Sequence, residues 1–159
     1  MTWSIQTWPS QRTNWASKWG CQNCDANEGN TNCDEVHPIL CVHSYKGFGR
    51  PAYPISGKLA SNGWVGGDIE ITTRELQGYD IFSKENGDRM CESDLGEGWE
   101  MAYYTMGRCF PSMTSTYPVG KTWKWERTAP GEKGFWGYGV ALGDVWIWND
   151  VGSSANCES

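Results

Sequence analysis

Apolar and polar residues alternate in short stretches along this chain, with the two-residue period of strands. In Asp68-Ile69-Glu70-Ile71-Thr72 the isoleucines fall on one side and the carboxylates on the other, the pattern of a half-buried strand with Ile69 and Ile71 inward. Trp3 and Ile5 alternate in the same way ahead of Trp8-Pro9, whereas Pro38-Ile39-Leu40-Cys41-Val42 is apolar throughout, as a fully buried strand would be. Trp99 to Tyr104, Lys121 to Trp125, Phe135 to Val140 and Val145 to Trp148 read as further strands between Gly or Pro turns. Trp15 and Trp19 stand four apart, the spacing of one helical turn. Ser83 can cap a helix over residues 84–94, with Met90 and Cys91 inward and Gly96 at its end, although Gly87 weakens the middle. No other stretch makes a convincing helix, because 20 Gly and 7 Pro cut the chain into short pieces. The expected fold is α+β and mostly β: a small disulfide-stapled domain with one main helix.

At 159 residues the chain is one domain's worth. The division expected is a Trp-rich arm over 1–20, packed on a single disulfide-rich globular domain over 21–159. Ile, Leu, Val and Phe supply only 23 of the 159 residues, about 14%, a fraction at which charged chains are often disordered. Eleven Trp and 7 Tyr replace them, and each large aromatic can bury roughly 150–250 Å². Seven cysteines add staples.

Cys21, Cys24, Cys33 and Cys41 can hold zinc, with His37 and His43 nearby, or form two disulfides in any of three connectivities. Disulfides are favoured, because Cys33 and Cys41 do not form the second close pair of a zinc ribbon. Cys91, Cys109 and Cys157 leave an odd thiol, free or linked to another chain.

A net charge of −6 with no basic cluster lacks the footprint for phosphate backbones, so nucleic acid is not an expected partner. No apolar run reaches the ~18 residues of a membrane helix, and Met1-Thr2-Trp3-Ser4 does not read as a signal peptide. Cysteine at this density points outside the reducing cytosol, to a secreted or cell-surface protein.

The candidate chemistry is aromatic. Trp123 with Trp125, and Trp146 with Trp148, are two apart, so each pair presents both indoles to one face of a strand. Flat indoles beside Asn149 and Asp150 suit the C–H faces and hydroxyls of sugars, while the bland alternative is that such rings are simply the core. Asp144, Asn149 and Asp150 form an oxygen cluster at which calcium can bind, and turn capping explains them equally well. Asp25 to Asn30 has the oxygen density of a calcium loop but lacks the closing Glu. Neither histidine sits in a nucleophile motif, so no catalytic residue is assigned. Asp68, Glu70, Glu100 and Glu126, on or beside strands, are the carboxylates that a glycosidase would pair.

Six ordered motifs resemble a family of secreted bacterial domains, many of them lipoproteins, to which no activity is attached. The matching stretches are Cys21-x-x-Cys24-Asp25 with Gly29-Asn30-Thr31-x-Cys33; His37 to Cys41; Gly63-Trp64-Val65-x-Gly67; Cys91 followed by Leu95-Gly96-x-Gly98-Trp99-x-Met101-Ala102; Phe135-Trp136; and Asn149-Asp150 with Ala155-Asn156-Cys157. Members usually carry six cysteines, which makes Cys109 the extra one, and the stretch between Ala102 and Phe135 lacks their His-Asp-Gly start. That family is distantly similar to C-type-lectin-like domains, through Cys91, Met101-Ala102, Trp148-Asn149-Asp150 and Cys157. The similarity implies a Cys91–Cys157 bridge, with Cys109–Cys157 as a second possibility, and a lectin-like fold. The Glu-Pro-Asn or Gln-Pro-Asp segment of such lectins has no match around Thr128-Ala129-Pro130-Gly131.

The function expected is an exported, non-enzymatic domain that recognises a glycan or cell-surface polymer. The alternatives are a secreted polysaccharide hydrolase using paired carboxylates, and a structural subunit that self-associates through residues 1–20 with Cys109 as a cross-link.

Overall fold

The structure, a computed structural model, describes residues 1–13, 15–21, 31–44, 63–109, 126–127, 134–150 and 157. Its strands are β1 (Thr2–Thr7), β2 (Ser17–Gly20), β3 (Val36–His37), β4 (Leu40–Ser44), β5 (Trp64–Ile71), β6 (Leu76–Gln77), β7 (Glu100–Met101), β8 (Arg108–Cys109), β9 (Glu126–Arg127), β10 (Gly134–Tyr138) and β11 (Val145–Trp146). Nine of them form one sheet in the order β11-β1-β2-β10-β5-β4-β7, with β8 and β9 attached beside β5, and β3 pairs β6 separately. The β10–β5 pair is parallel, and the other pairs between strands are antiparallel.

The register of β4 on β5 sorts the two faces. Leu40 stands opposite Ile71 and Val42 opposite Ile69, while Cys41 meets Glu70 and His43 meets Asp68. Directly opposed residues share a face. The Leu40/Val42/Ile69 face joins Trp3, Trp19, Val65, Tyr104, Phe135, Val145 and Ile147 in the main core. Aromatic contacts dominate there: Trp3 lies 5.1 Å from Phe135 and edge-on to Tyr104 at 6.1 Å. Trp19 satisfies its indole N–H on Ser17 Oγ at 3.0 Å, whereas the Nε1 atoms of Trp3 and Trp136 are buried without an acceptor. Indole thus fills the interior that aliphatics leave short, as the composition requires.

The opposite face is covered in part by α1 (Lys84–Leu95). Ser83 caps it as expected, accepting from the Asn86 N–H at 3.0 Å, and Gly96 ends it at a φ of 113°. Cys91 is fully buried and Met90 half-buried against the same cluster. Gly87 has a role that its low helix propensity hides. A Cβ there would lie 2.3 Å from Met101 Sδ, so only glycine lets the helix sit this close to β7. Asp88 fastens the contact by accepting the Met101 N–H at 2.9 Å.

Two bridges are defined, Cys41–Cys91 and Cys33–Cys157, and Cys21 is also disulfide-bonded. The pairing of Cys91 with Cys157 implied by lectin-like similarity is therefore corrected, as is the alternative of Cys109 with Cys157. The physical reason is register: Cys41 shares the helix-side face of β4, directly beneath Cys91. The two bridges also overturn the pair of disulfides expected within Cys21, Cys24, Cys33 and Cys41, in any of its three connectivities, and any zinc set of those four.

Two further expectations change. Trp15 and Trp19 do not share a helical turn: Trp19 lies in β2, hydrogen-bonded on both sides by β1 and β10, and is fully buried, whereas Trp15 is 64% exposed. Strand partners on both flanks override the local spacing. Residues 1–20 are likewise more than an arm packed on the domain, since they supply β1 and β2 to the middle of the sheet and Trp3 and Trp19 to its core.

Candidate functional site

Past the C-terminal end of α1, the helix-side face of the sheet carries a row of half-buried side chains from neighbouring strands. His43 on β4 is opposed by Asp68 on β5, and Asp68 is paired with Tyr138 on β10. Gly137 confirms the facing of Tyr138. A Cβ at 137 would meet Ile69 Cδ1 at 2.3 Å on the core side, so the next residue turns to the Asp68 side. On the other flank Glu100 opposes Val42, which sets Trp99 beside His43, with ring centroids 5.4 Å apart and planes tilted by 43°. Tyr138, Asp68, His43 and Trp99 thus cross four adjacent strands, a span of roughly 14 Å at ~4.8 Å per strand. All four are half-buried, and Glu70, two residues from Asp68 on the same face, is exposed.

Gly98 is part of this geometry. Its φ of 91° belongs to the left-handed region, and a Cβ there would lie 2.8 Å from His43 Nε2. Glycine at 98 therefore lets the Trp99 loop close over the imidazole. Glu70 Oε1 accepts from the Ile71 N–H at 3.1 Å, which lays that carboxylate along its own strand. The row offers two aromatic rings, an imidazole and two carboxylates on a shallow surface, groups that both stack and hydrogen-bond.

The side chains singled out from sequence are placed elsewhere. Trp146 is 2% exposed, donates its indole N–H to Leu76 O at 2.7 Å and receives the edge of His37 at 5.3 Å, so it is a core residue. Trp148 packs half-buried against the same cluster, and its backbone exchanges hydrogen bonds with Ala102 and Tyr104. The pair shares a face, as its spacing implies, but that face looks inward. This corrects its reading as a ligand platform, and the reason is the shortage of aliphatic side chains to fill the space. Trp123 and Trp125 lie outside the described residues, as do Cys24 and the side chains of Cys109 and Glu126.

Asn149 is buried. Asp150 accepts from the backbone N–H of Thr105 at 3.0 Å and from its hydroxyl, capping the turn after Ala102. Asp144 stands exposed before β11. Among the described residues no three His, Cys, Asp or Glu side chains are grouped to hold a metal ion. Glu100, opposite Val42 in register and so not alongside Asp68, accepts from Lys84 Nζ at 3.2 Å. A hollow lined by Met1, Ile81, Met101, Trp146 and Trp148 has a cavity volume of only about 10 Å³, far below the ~300–1,000 Å³ of ordinary ligand pockets.

One signal for the row was present in the sequence. Asp68 and Glu70 point away from Ile69, and His43, two residues after Cys41 in a strand, must share its face. What no local pattern carries is the parallel pairing that brings Tyr138 alongside.

Trp8 and Trp15 are the most exposed tryptophans described, at 51% and 64%. They flank a 3-10 turn, Gln11–Thr13, that links β1 to β2. Trp15 has a φ of 66°, a conformation costing a bulky residue about 1–2 kcal/mol. Val36, Tyr79 and Phe82 make a second exposed group around β3 and β6.

No protein-family model, curated protein or solved structure matches the chain.

Proposed function

We propose that the protein is an exported recognition domain that binds glycan along the row Tyr138, Asp68, His43 and Trp99. The observation carrying this reading is the alignment of half-buried stacking and hydrogen-bonding side chains across adjacent strands on one face. Rings supply flat surfaces for C–H faces at little entropic cost, and the acids and imidazole between them match hydroxyls. Asp68 and Glu70, on a chain of net charge −6, disfavour uronates and sulfated sugars and favour neutral or basic ones. Oxidised cysteines support the export half, since disulfides persist outside the reducing cytosol.

A glycan array tests the reading. Binding is expected, with roughly tenfold or greater losses for Asp68→Asn and Trp99→Ala, the size of one hydrogen bond to a charged group or one stacked ring. An array without hits, or hits indifferent to both substitutions, refutes it.

One feature favours hydrolysis as a second reading. Asp68 and Glu70 share a face two residues apart, about 6.7 Å along the strand, close to the ~6.5–9.5 Å between the carboxyls of inverting glycosidases. New reducing ends released from an array hit, and lost in Glu70→Gln while binding persists, would establish it.

A further inference from the structure

Four of the exposed apolar side chains among the described residues lie on two neighbouring loops at one end of the sheet: Trp8 and Trp15 between β1 and β2, Val140 and Leu142 after β10. The loops are tied together, because Ser17 opposes Gly137 and its hydroxyl donates to the carbonyls of Gly137 and Gly139. Leu142 is 81% exposed, and its neighbour Ala141 packs back on the core, so the leucine projects from an anchored base.

We infer that these loops seat the protein on a lipid bilayer surface, with Leu142 and Val140 entering the acyl boundary and the two indoles at headgroup level. Aliphatic tips give a sugar ring nothing to stack on, but they gain by entering hydrocarbon, and tryptophan favours the interface between the two phases. A second copy of this chain fits less well. Four partly exposed side chains offer on the order of 400–500 Å², short of the ~800 Å² per partner of a standard complex.

The charges permit a zwitterionic lipid surface. On a chain of net charge −6, this end carries exposed Arg12 and half-buried Lys18, whose long side chains can reach headgroup phosphates, balanced by Asp144 beside Leu142 and by Glu70 beside the Gly139–Val140 loop. Among the described residues no helix is long and apolar enough to cross a membrane, so the attachment inferred is peripheral. It adjoins the glycan row, whose Tyr138 lies two residues before Val140, but does not depend on that reading.

Co-sedimentation with phosphatidylcholine vesicles, whose headgroups carry no sugar, in a sugar-free buffer tests the inference. The parent protein should pellet with vesicles, and the double variant Trp15→Asn/Leu142→Ser should lose roughly tenfold or more in partitioning while keeping its circular dichroism and urea midpoint. A parent that stays in the supernatant overturns the inference, as does a variant that pellets equally well. Concentration-dependent self-association that the variant abolishes, with vesicle binding unchanged, would also overturn it and assign the patch to a second copy.

Discussion

Replacing Cys91 by alanine separates the disulfide framework of this structure from the one implied by lectin-like similarity. The Cys41–Cys91 bridge spans 50 residues and Cys33–Cys157 spans 124. In the chain-entropy account, loops of these sizes correspond to about 4 and about 5 kcal/mol of stabilisation respectively. Against the ~5–15 kcal/mol of a typical domain, losing the shorter loop is a large fraction of the whole. Cys91→Ala should therefore lower the urea unfolding free energy by about 4 kcal/mol, with a further contribution from the space left among Ile39, Ile81 and Met101. The decisive measurement is which thiol is released. Alkylation of the unfolded, unreduced variant should add one label relative to the parent, at Cys41. A label at Cys157 would show that the helix is tied to the C-terminal segment, and the register argument for β4 and α1 would be wrong.

Gly87→Ala should destabilise by roughly 1–3 kcal/mol in urea or thermal melts, because overpacking against Met101 exceeds the ~1 kcal/mol gained in helix propensity; a stabilised variant would show that the helix does not lie on β7. Arg74 holds the Asp94 carboxyl at a pKa of about 2, below the usual 3.8, chiefly through their hydrogen bond, with help from Thr73. A depressed carboxylate pKa contributes stability present above about pH 4 and lost as pH falls towards 2. Asp94→Asn should thus be less stable than the parent at pH 7, and the two should converge at pH 2 in urea titrations. Trp15→Asn should leave the thermal midpoint unchanged or raised, because asparagine tolerates the left-handed backbone at 66° that a bulky residue strains to adopt. Gly98→Ala should reduce any glycan binding by displacing His43, read by array signal, and should cost about 1–2 kcal/mol in a urea titration because alanine is strained at a φ of 91°.

The elements set by short-range pattern were legible. Asp68 to Thr72 shows its alternation, Pro38 to Val42 its continuous burial, and Ser83 its cap. What escaped is non-local. Trp15 and Trp19 carry a helical interval, yet β1 and β10 flank Ser17–Gly20 and impose a strand. Gly87 reads as a weak helix position because Met101, its reason, lies fourteen residues on. Trp146 and Trp148 were rightly paired on one face, but exposure depends on what lies opposite, and Pro38, Ile39 and Leu76 arrive there from distant parts of the chain. For the row, parity places Asp68 and His43, whereas Tyr138 joins them only through a parallel pairing some seventy residues away.

That parallel pairing also bears on biosynthesis. The row draws on residues 43, 68, 99 and 138, and β1 lies between β2 and β11, so the chain's opening strand waits for nearly its last before the sheet is complete. Contacts this distant in sequence make for slow folding, with the entropy of loop closure lost before the sheet repays it. A nascent chain stalled before Gly134 has neither β10 nor β11, and offers unpaired edges on β1, β2 and β5 to any neighbour it meets. Ligand recognition by this row would arise only in finished molecules, and interrupted synthesis would yield aggregation-prone intermediates in place of partly active ones.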